Sequence, residues 1–363
     1  MLFDLQPKTR REDLYDRDKE LHEFNDALRL GERLILLLGI RRLGKSSLLN
    51  VALSESSLPH AKIDVRSLYF THGSIPQEIL AKRILSSLLK SISPRGKFRL
   101  GFTRALASIK GIRISGVHVE FEKKPEFDEL LEKINSWAER EGTRVVLAFD
   151  EAQYLRLSGI QYDGVIAYAV DNLPNITFVL TGSEIGMLHN FLGLDNPKKP
   201  LFGRYAREIV LERFTRKQSE DFLIKGFEEL GIKTNREEIR KTVDRLDGIV
   251  GWLTMYGYLR GVRKLSEKEA LEELFRKANA LVKEELAALL SYSRRYGFIL
   301  KAVALGNHRW SEIRDYVELK SGHVNDAKFS ALLKNLIKYG YLEKTGGGYT
   351  IPDPIVAEVV RSL

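Results

Sequence analysis

The chain has 363 residues, 44 % apolar and 29 % charged, with a net charge of +9 and no cysteine. That length predicts two or three domains with ample core, and the missing cysteines exclude disulfides, thiolate zinc sites and cysteine nucleophiles. No apolar run nears the roughly 20 residues of a bilayer-spanning helix, and Met1-Leu2-Phe3-Asp4 lacks an export signal's basic and apolar regions, so a cytoplasmic protein without a membrane partner is expected.

Residues 13–21 lead into a helix with Leu21, Phe24 and Leu28 at helical spacing. An apolar strand, residues 34–38, then runs into Gly39-Ile40-Arg41-Arg42-Leu43-Gly44-Lys45-Ser46-Ser47. This is the G-x-x-x-x-G-K-S pattern of a phosphate-binding loop. Its glycines permit a turn whose backbone N–H groups converge on an anion. Lys45 has the reach for the β- and γ-phosphates, and the Ser46 hydroxyl suits Mg²⁺. The helix that follows adds its positive dipole end.

A second strand is predicted at 61–65, and Ile75, Ile79, Leu80, Ile84, Leu88 and Leu89 mark one helix face. Residues 93–111 are basic and punctuated by Gly, Ser and Pro. Residues 112–121 alternate around Ser115-Gly116 as a hairpin would. Phe127, Leu130, Leu131, Ile134 and Trp137 predict an amphipathic helix. The strand that follows Arg144 is continuously apolar over 145–149, as in a sheet buried on both faces, and closes on Asp150-Glu151. Carboxylates at that end lie where open α/β sheets bind ligands. Asp150 is the second expected contact for Mg²⁺, and Glu151 the group that polarises attacking water. Strands at 176–180, ending in Thr181-Gly182-Ser183, and at 207–211 complete an alternation of strands and helices. The alternation predicts a doubly wound parallel-sheet α/β core over residues 1–214.

Beyond that point the strands stop. Thr215 with Gln218, Asn235 with Glu238 and Ser266 with Glu269 open successive helices, giving a helical lid over 215–264 and a linker helix. Residues 247–252, Asp-Gly-Ile-Val-Gly-Trp, interrupt the lid. A helix over 286–304, a helix at 311–317, another at 327–339 and two short strands around 345–348 predict a winged helix in 265–363. Its Lys328, Lys334, Lys338 and Lys344 give the recognition helix and wing positive charge. His308, His323 and Asp353 are candidates for contacts to nucleotide or lid, and the other histidines lack metal-ligand spacing.

Residues 82–124 hold eleven Lys/Arg against Glu120 and Glu122, which accounts for the chain's whole excess charge. Within an insertion at about 92–124, Phe98 and Phe102 interleave with Arg95, Lys97, Arg99, Arg104, Lys110 and Arg113, as in nucleic-acid surfaces. A surface for an acidic protein partner and a plain solvated insertion are the alternatives.

The order of these parts resembles the archaeal ATPase family within the AAA+/STAND branch of P-loop ATPases. The resemblance rests on residues 15–21, 39–46, 150–153, 180–184, Gly203-Arg204, 247–252 and the terminal winged helix. It implies ATP or ADP as ligand, with Tyr15 and Arg17 on the adenine side; no guanine-reading N-K-x-D motif is present. It implies that Thr181 or Ser183 senses the γ-phosphate and that Arg204, with Arg207 as competitor, is an arginine finger reaching across a subunit interface. Val250 stands where the STAND lid loop carries proline. The helix after it offers no clear second-sensor arginine, which favours slow hydrolysis and nucleotide as a conformational latch. Three functions are consistent with this: a slow ATPase switch acting on nucleic acid, a DNA-binding regulator or initiator whose affinity ATP sets, and a signalling scaffold with a protein target. The oligomeric state is left open.

Overall fold

In the computed structural model, which describes residues 1–92, 96–107, 111–122 and 126–362, the first 214 residues contribute β1 (Leu34–Leu38), β2 (His60–Asp64), β3 (Ile112–Ser115), β4 (His118–Phe121), β5 (Val145–Asp150), β6 (Ile176–Gly182) and β7 (Arg207–Val210). β3 and β4 form the expected antiparallel hairpin, and the others form one parallel sheet in the order β2-β5-β6-β1-β7. Leu38 pairs with Gly182, and Asp64 with Asp150, so the C-terminal ends of the central strands finish at one level. That edge is where such sheets seat ligands.

The apolar runs are continuous because both faces are covered. Ile35 and Leu37 join Val146 and Ala148 under the helices Asp18–Leu30 and Lys45–Glu55. Leu34, Leu36 and Leu38 join Leu147 and Phe149 under Gln77–Ile92 and Phe127–Arg140. This is strand alternation with period two, each buried leucine contributing about 1.5–3 kcal/mol. The first face continues without a break through Phe214, Trp252 and Leu274 to Leu300, Leu336 and Val359. The core, the lid and the C-terminal helices therefore share one apolar interior.

The lid comprises helices Arg216–Glu229, Arg236–Leu246 and Val250–Gly257. Thr215 and Gln218 form a reciprocal capping box, and Asn235 caps the second helix. Gly248 is obligatory: its φ is +71°, and a Cβ there would stand 2.0 Å from the Phe214 carbonyl oxygen. The linker helix Glu267–Tyr292 follows the Ser266/Glu269 box. The single helix expected over 286–304 is two: Ser293 is extended and caps a new helix, Arg294–Ala304, through the Arg295 N–H. Helices Trp310–Ser321 and Asp326–Lys338 and the wing strands β8 (Glu343–Thr345) and β9 (Gly348–Thr350) follow. A closing helix, Pro354–Ser362, was not expected. Among the described residues no helix is long and apolar enough to cross a membrane.

The basic segment corrects one expectation. Helix Gly96–Ala107 occupies the stretch that had carried no element. Its inner face buries Phe102, whose ring centroid is 4.8 Å from that of Trp137, and Phe98 packs edge-on to the same indole at 6.1 Å. The Phe102 ring is hydrophobic core and offers no stacking face, while Phe98 is half-buried against the same cluster. Arg95, Lys110, Lys123 and Lys124 lie outside the described residues, as does the side chain of Lys97.

Candidate nucleotide site

The phosphate loop joins β1 to the helix Lys45–Glu55. Gly39 (φ +148°) and Gly44 (φ +92°) take backbone conformations that side chains resist, and a Cβ at Gly39 would meet the Leu211 carbonyl at 2.8 Å. Leu43 is buried beneath the loop, while Ile40 and Ser47 stay half-buried at its edge. The Lys45 ammonium is folded back onto its own loop, donating to the Gly39 carbonyl at 2.7 Å and the Ile40 carbonyl at 2.8 Å. Burial lowers its pKa to about 8, although the Glu151 and Asp150 carboxylates pull the other way.

Opposite it stand the β5 carboxylates. Ser46 Oγ donates to Asp150 Oδ2 at 2.8 Å, and Thr181 Oγ1 donates to the other oxygen while accepting the Glu151 N–H at 3.0 Å. A hydroxyl and a carboxylate facing each other make an oxygen donor set that fits Mg²⁺. Glu151 sits at φ +56°, which turns its side chain toward β6. There Oε2 accepts from Ser183 Oγ at 2.6 Å and from Gln153 Nε2 at 2.5 Å. Thr181 thus orders Asp150, and Ser183 orders Glu151.

The two arginines of the loop face other domains. Arg41 pairs with Glu184 at 2.6 Å, and its guanidinium carbon lies 5.4 Å from the centroid of the Tyr341 ring. Arg42 pairs with Glu285 of the linker helix at 2.8 Å, lies 3.9 Å from Asp353, and stacks 4.2 Å over the Trp252 ring. The Gly251 N–H donates to the Arg42 carbonyl at 2.9 Å. Asp353 is thereby a lid contact, since it also accepts the Trp252 indole N–H at 3.0 Å. His308 and His323 instead bond within the winged helix, to Tyr349 and Glu318.

A cavity of about 510 Å³ extends from the loop between core and lid. Tyr15 lines it, edge-on to Phe214 and Phe222, with its hydroxyl on Asp221. Arg17 is a brace more than a free ligand: it pairs with Glu20 at 2.9 Å and donates to the Glu212 carbonyl at 2.8 Å and the Leu43 carbonyl at 3.3 Å. Its helix begins at Asp18, with Arg17 in the cap position. Residues 4–8 form a further wall of the cavity.

Arg204 is not at this site. It forms a two-pronged pair with Asp171 at 2.7 and 3.2 Å on the surface. Arg207 pairs in register with Ile35, at the opposite end of β1 from the loop. Arg260, in the π-helical segment Tyr258–Val262 that continues the lid helix, is held by Glu238 at 3.0 Å and supplies no second sensor.

The profile of a family described as an ATPase domain predominantly from Archaea matches residues 14–256. The chain belongs to that archaeal ATPase family. A second profile, the C-terminal winged helix-turn-helix domain of MCM proteins, matches residues 290–351. The Walker-type ATPase PABY2304 of Pyrococcus abyssi is 39 % identical over 99 % of this chain and 100 % of its own, with a TM-score of 0.84. The ORC2 protein of Aeropyrum pernix is 15 % identical over 99 % of this chain and 96 % of its own, with a TM-score of 0.62, a likeness of fold. No curated relative matches. The chain is thus an ATPase of that archaeal family, with a parallel-sheet core and a terminal winged helix.

Two residues of this archaeal ATPase's site carry no sequence signal: Lys62 and Glu285 belong to no recurring pattern and meet the loop only through the fold. Gln153 and Glu184 fall within the segments 150–153 and 180–184, but their contacts to Glu151 and Arg41 are set by the fold.

Proposed function

We propose that this archaeal ATPase binds ATP between core and lid, hydrolyses it slowly with magnesium, and uses its phosphate loop to hold or release the winged helix, with nucleic acid as target. The carrying observation is the seat of the winged helix. Arg41 donates to the Tyr339 carbonyl at 3.5 Å, and a Cβ at Gly340 would stand 3.2 Å from the carbonyl of Ser183, the residue that holds Glu151. A Cβ at Gly186 would be 2.7 Å from Lys338 Cα, so the recognition helix ends against the core. A γ-phosphate competes for the Arg41 guanidinium and the Ser183 hydroxyl, so nucleotide state and domain docking are linked through the same two residues.

In this reading Lys45 leaves its two carbonyls for the phosphates, and Ser46 and Asp150 would hold the magnesium ion, which would supply charge neutralisation to the triphosphate. Glu151 accepts the water proton at Oε2 once Ser183 yields it. Tyr15 faces the adenine. Slow turnover is supported by the commitment of Arg204 to Asp171, because a finger arginine is worth several powers of ten in rate. Arg204 serves as a finger only in an oligomer that breaks that pair.

Nucleic acid as target is supported by the match to the MCM winged helix and by Lys82, Arg83, Lys90 and Arg104. These four are exposed and have no carboxylate partner among the described residues. The test is filter-binding of DNA at several salt concentrations with ATP, with ADP and with neither. Affinities that differ between nucleotide states and fall steeply with salt are expected; equal, salt-insensitive affinities overturn the nucleic-acid reading.

A further inference from the structure

Lys62 lies beside the magnesium ligands yet belongs to no nucleotide motif. It sits on β2, in register with Ala148 and two residues before the Asp64–Asp150 pair. Its side chain runs up to the ligand edge of the sheet, where Nζ stands 3.6 Å from Asp150 Oδ2, the same oxygen that accepts from Ser46. Nζ is anchored from the other side by Asn50 Oδ1 at 2.6 Å, and Asn50 Nδ2 donates in turn to the Lys8 carbonyl at 3.2 Å. The lysine side chain is 27 % exposed. The Lys45 ammonium, by contrast, spends its hydrogen bonds on the Gly39 and Ile40 carbonyls.

We infer that Lys62 is a positioning residue that supplies a built-in counter-charge to Asp150, standing in for the divalent cation and competing with it. The inference rests on the reading of Ser46 and Asp150 as magnesium ligands. A fixed monovalent charge held by Asn50 screens Asp150 from an incoming triphosphate, so nucleotide binds even when magnesium is scarce. The same charge repels the divalent ion a few ångströms away, so magnesium binds more weakly than the bare serine–aspartate pair would allow. Removing Lys62 therefore has opposite effects on the two steps, which loss of structure cannot imitate.

The test is fluorescence titration of the full chain with an N-methylanthraniloyl ATP analogue, in EDTA and across a magnesium series. It compares wild type, Lys62→Met and Lys62→Arg. Lys62→Met should bind the analogue about tenfold more weakly in EDTA, while its half-saturating magnesium concentration falls about tenfold. Lys62→Arg keeps the charge and should stay near wild type on both axes. If Lys62→Met moves neither quantity, or weakens both together, the inference is overturned and the magnesium reading survives. If no variant nor the wild type responds to magnesium, both are overturned.

Discussion

Ser183 Oγ donates to Glu151 Oε2 across 2.6 Å, and with Gln153 Nε2 at 2.5 Å it fixes the carboxylate of the proposed general base against β6. Glu151→Gln keeps the size of the side chain and the Gln153 neighbourhood but cannot accept a proton. Turnover should fall by about 10²–10⁴, with ATP affinity within a few-fold of wild type. Steady-state phosphate release and equilibrium nucleotide binding, measured together, check this; unchanged turnover removes Glu151 from the base role.

Lys45 makes nucleotide binding depend on pH. Burial lowers its pKa in the free protein to about 8, whereas a triphosphate alongside favours the charged form. Between about pH 8 and 9, ATP binding should therefore take up a proton at Lys45. Calorimetric binding enthalpies in buffers of different ionisation heat read that uptake directly. Lys45→Ala should lose ATP binding, and Lys45→Met should lose both binding and proton uptake.

The same lysine bears on stability without nucleotide. Its folded pKa lies below the ordinary lysine value of 10.5, so the unfolded chain holds more protons between the two values. The cost of the buried charge is fully present below about pH 8 and is relieved as pH rises toward about 10.5. Lys45→Met should raise the melting temperature of the nucleotide-free protein at neutral pH, with the advantage shrinking in alkaline buffer. A melting temperature that drops at pH 7 contradicts this.

Arg42 tests the coupling between loop and C-terminal domain. It touches Trp252, Glu285 and, more distantly, Asp353. Arg42→Ala removes the ion pair and leaves Glu285 half-buried without its partner, a cost of about 1–3 kcal/mol. Hydrogen exchange should rise in the linker helix and in residues 339–356 while β1, β5 and β6 stay protected. Uniform protection across the C-terminal domain would mean that the arginine is not its tether.

Phe3 tests the wall beside the cavity. Its buried ring fills a socket in the lid, where a Cβ on Gly226 or Gly257 would come within 2.3 Å of it. From there the chain crosses the loop helix, the Lys8 N–H donating to Ser47 Oγ at 3.0 Å. Phe3→Ala should cost about 3–5 kcal/mol in urea unfolding and speed nucleotide release in stopped-flow. Gly257→Val should resemble it by blocking the socket.

Much of this protein is written locally. Residues 34–47 and 144–151 carry the phosphate loop and the carboxylate strand because apolar runs, glycines and strand-end acids encode geometry within a few residues. Capping pairs such as Thr215 with Gln218 likewise fix where helices start. What the tertiary structure alone decided is how Arg41, Arg42 and Lys62 are used, that Phe102 is core with Phe98 packed against it, and that Arg204 is spent on Asp171 far from the loop. Those roles depend on partners outside any local pattern, such as Asp171 for Arg204 and Asp353 for Arg42. Sequence periodicity records which face of an element is apolar, but an ion pair or aromatic contact between elements exists only once their packing has set the distance.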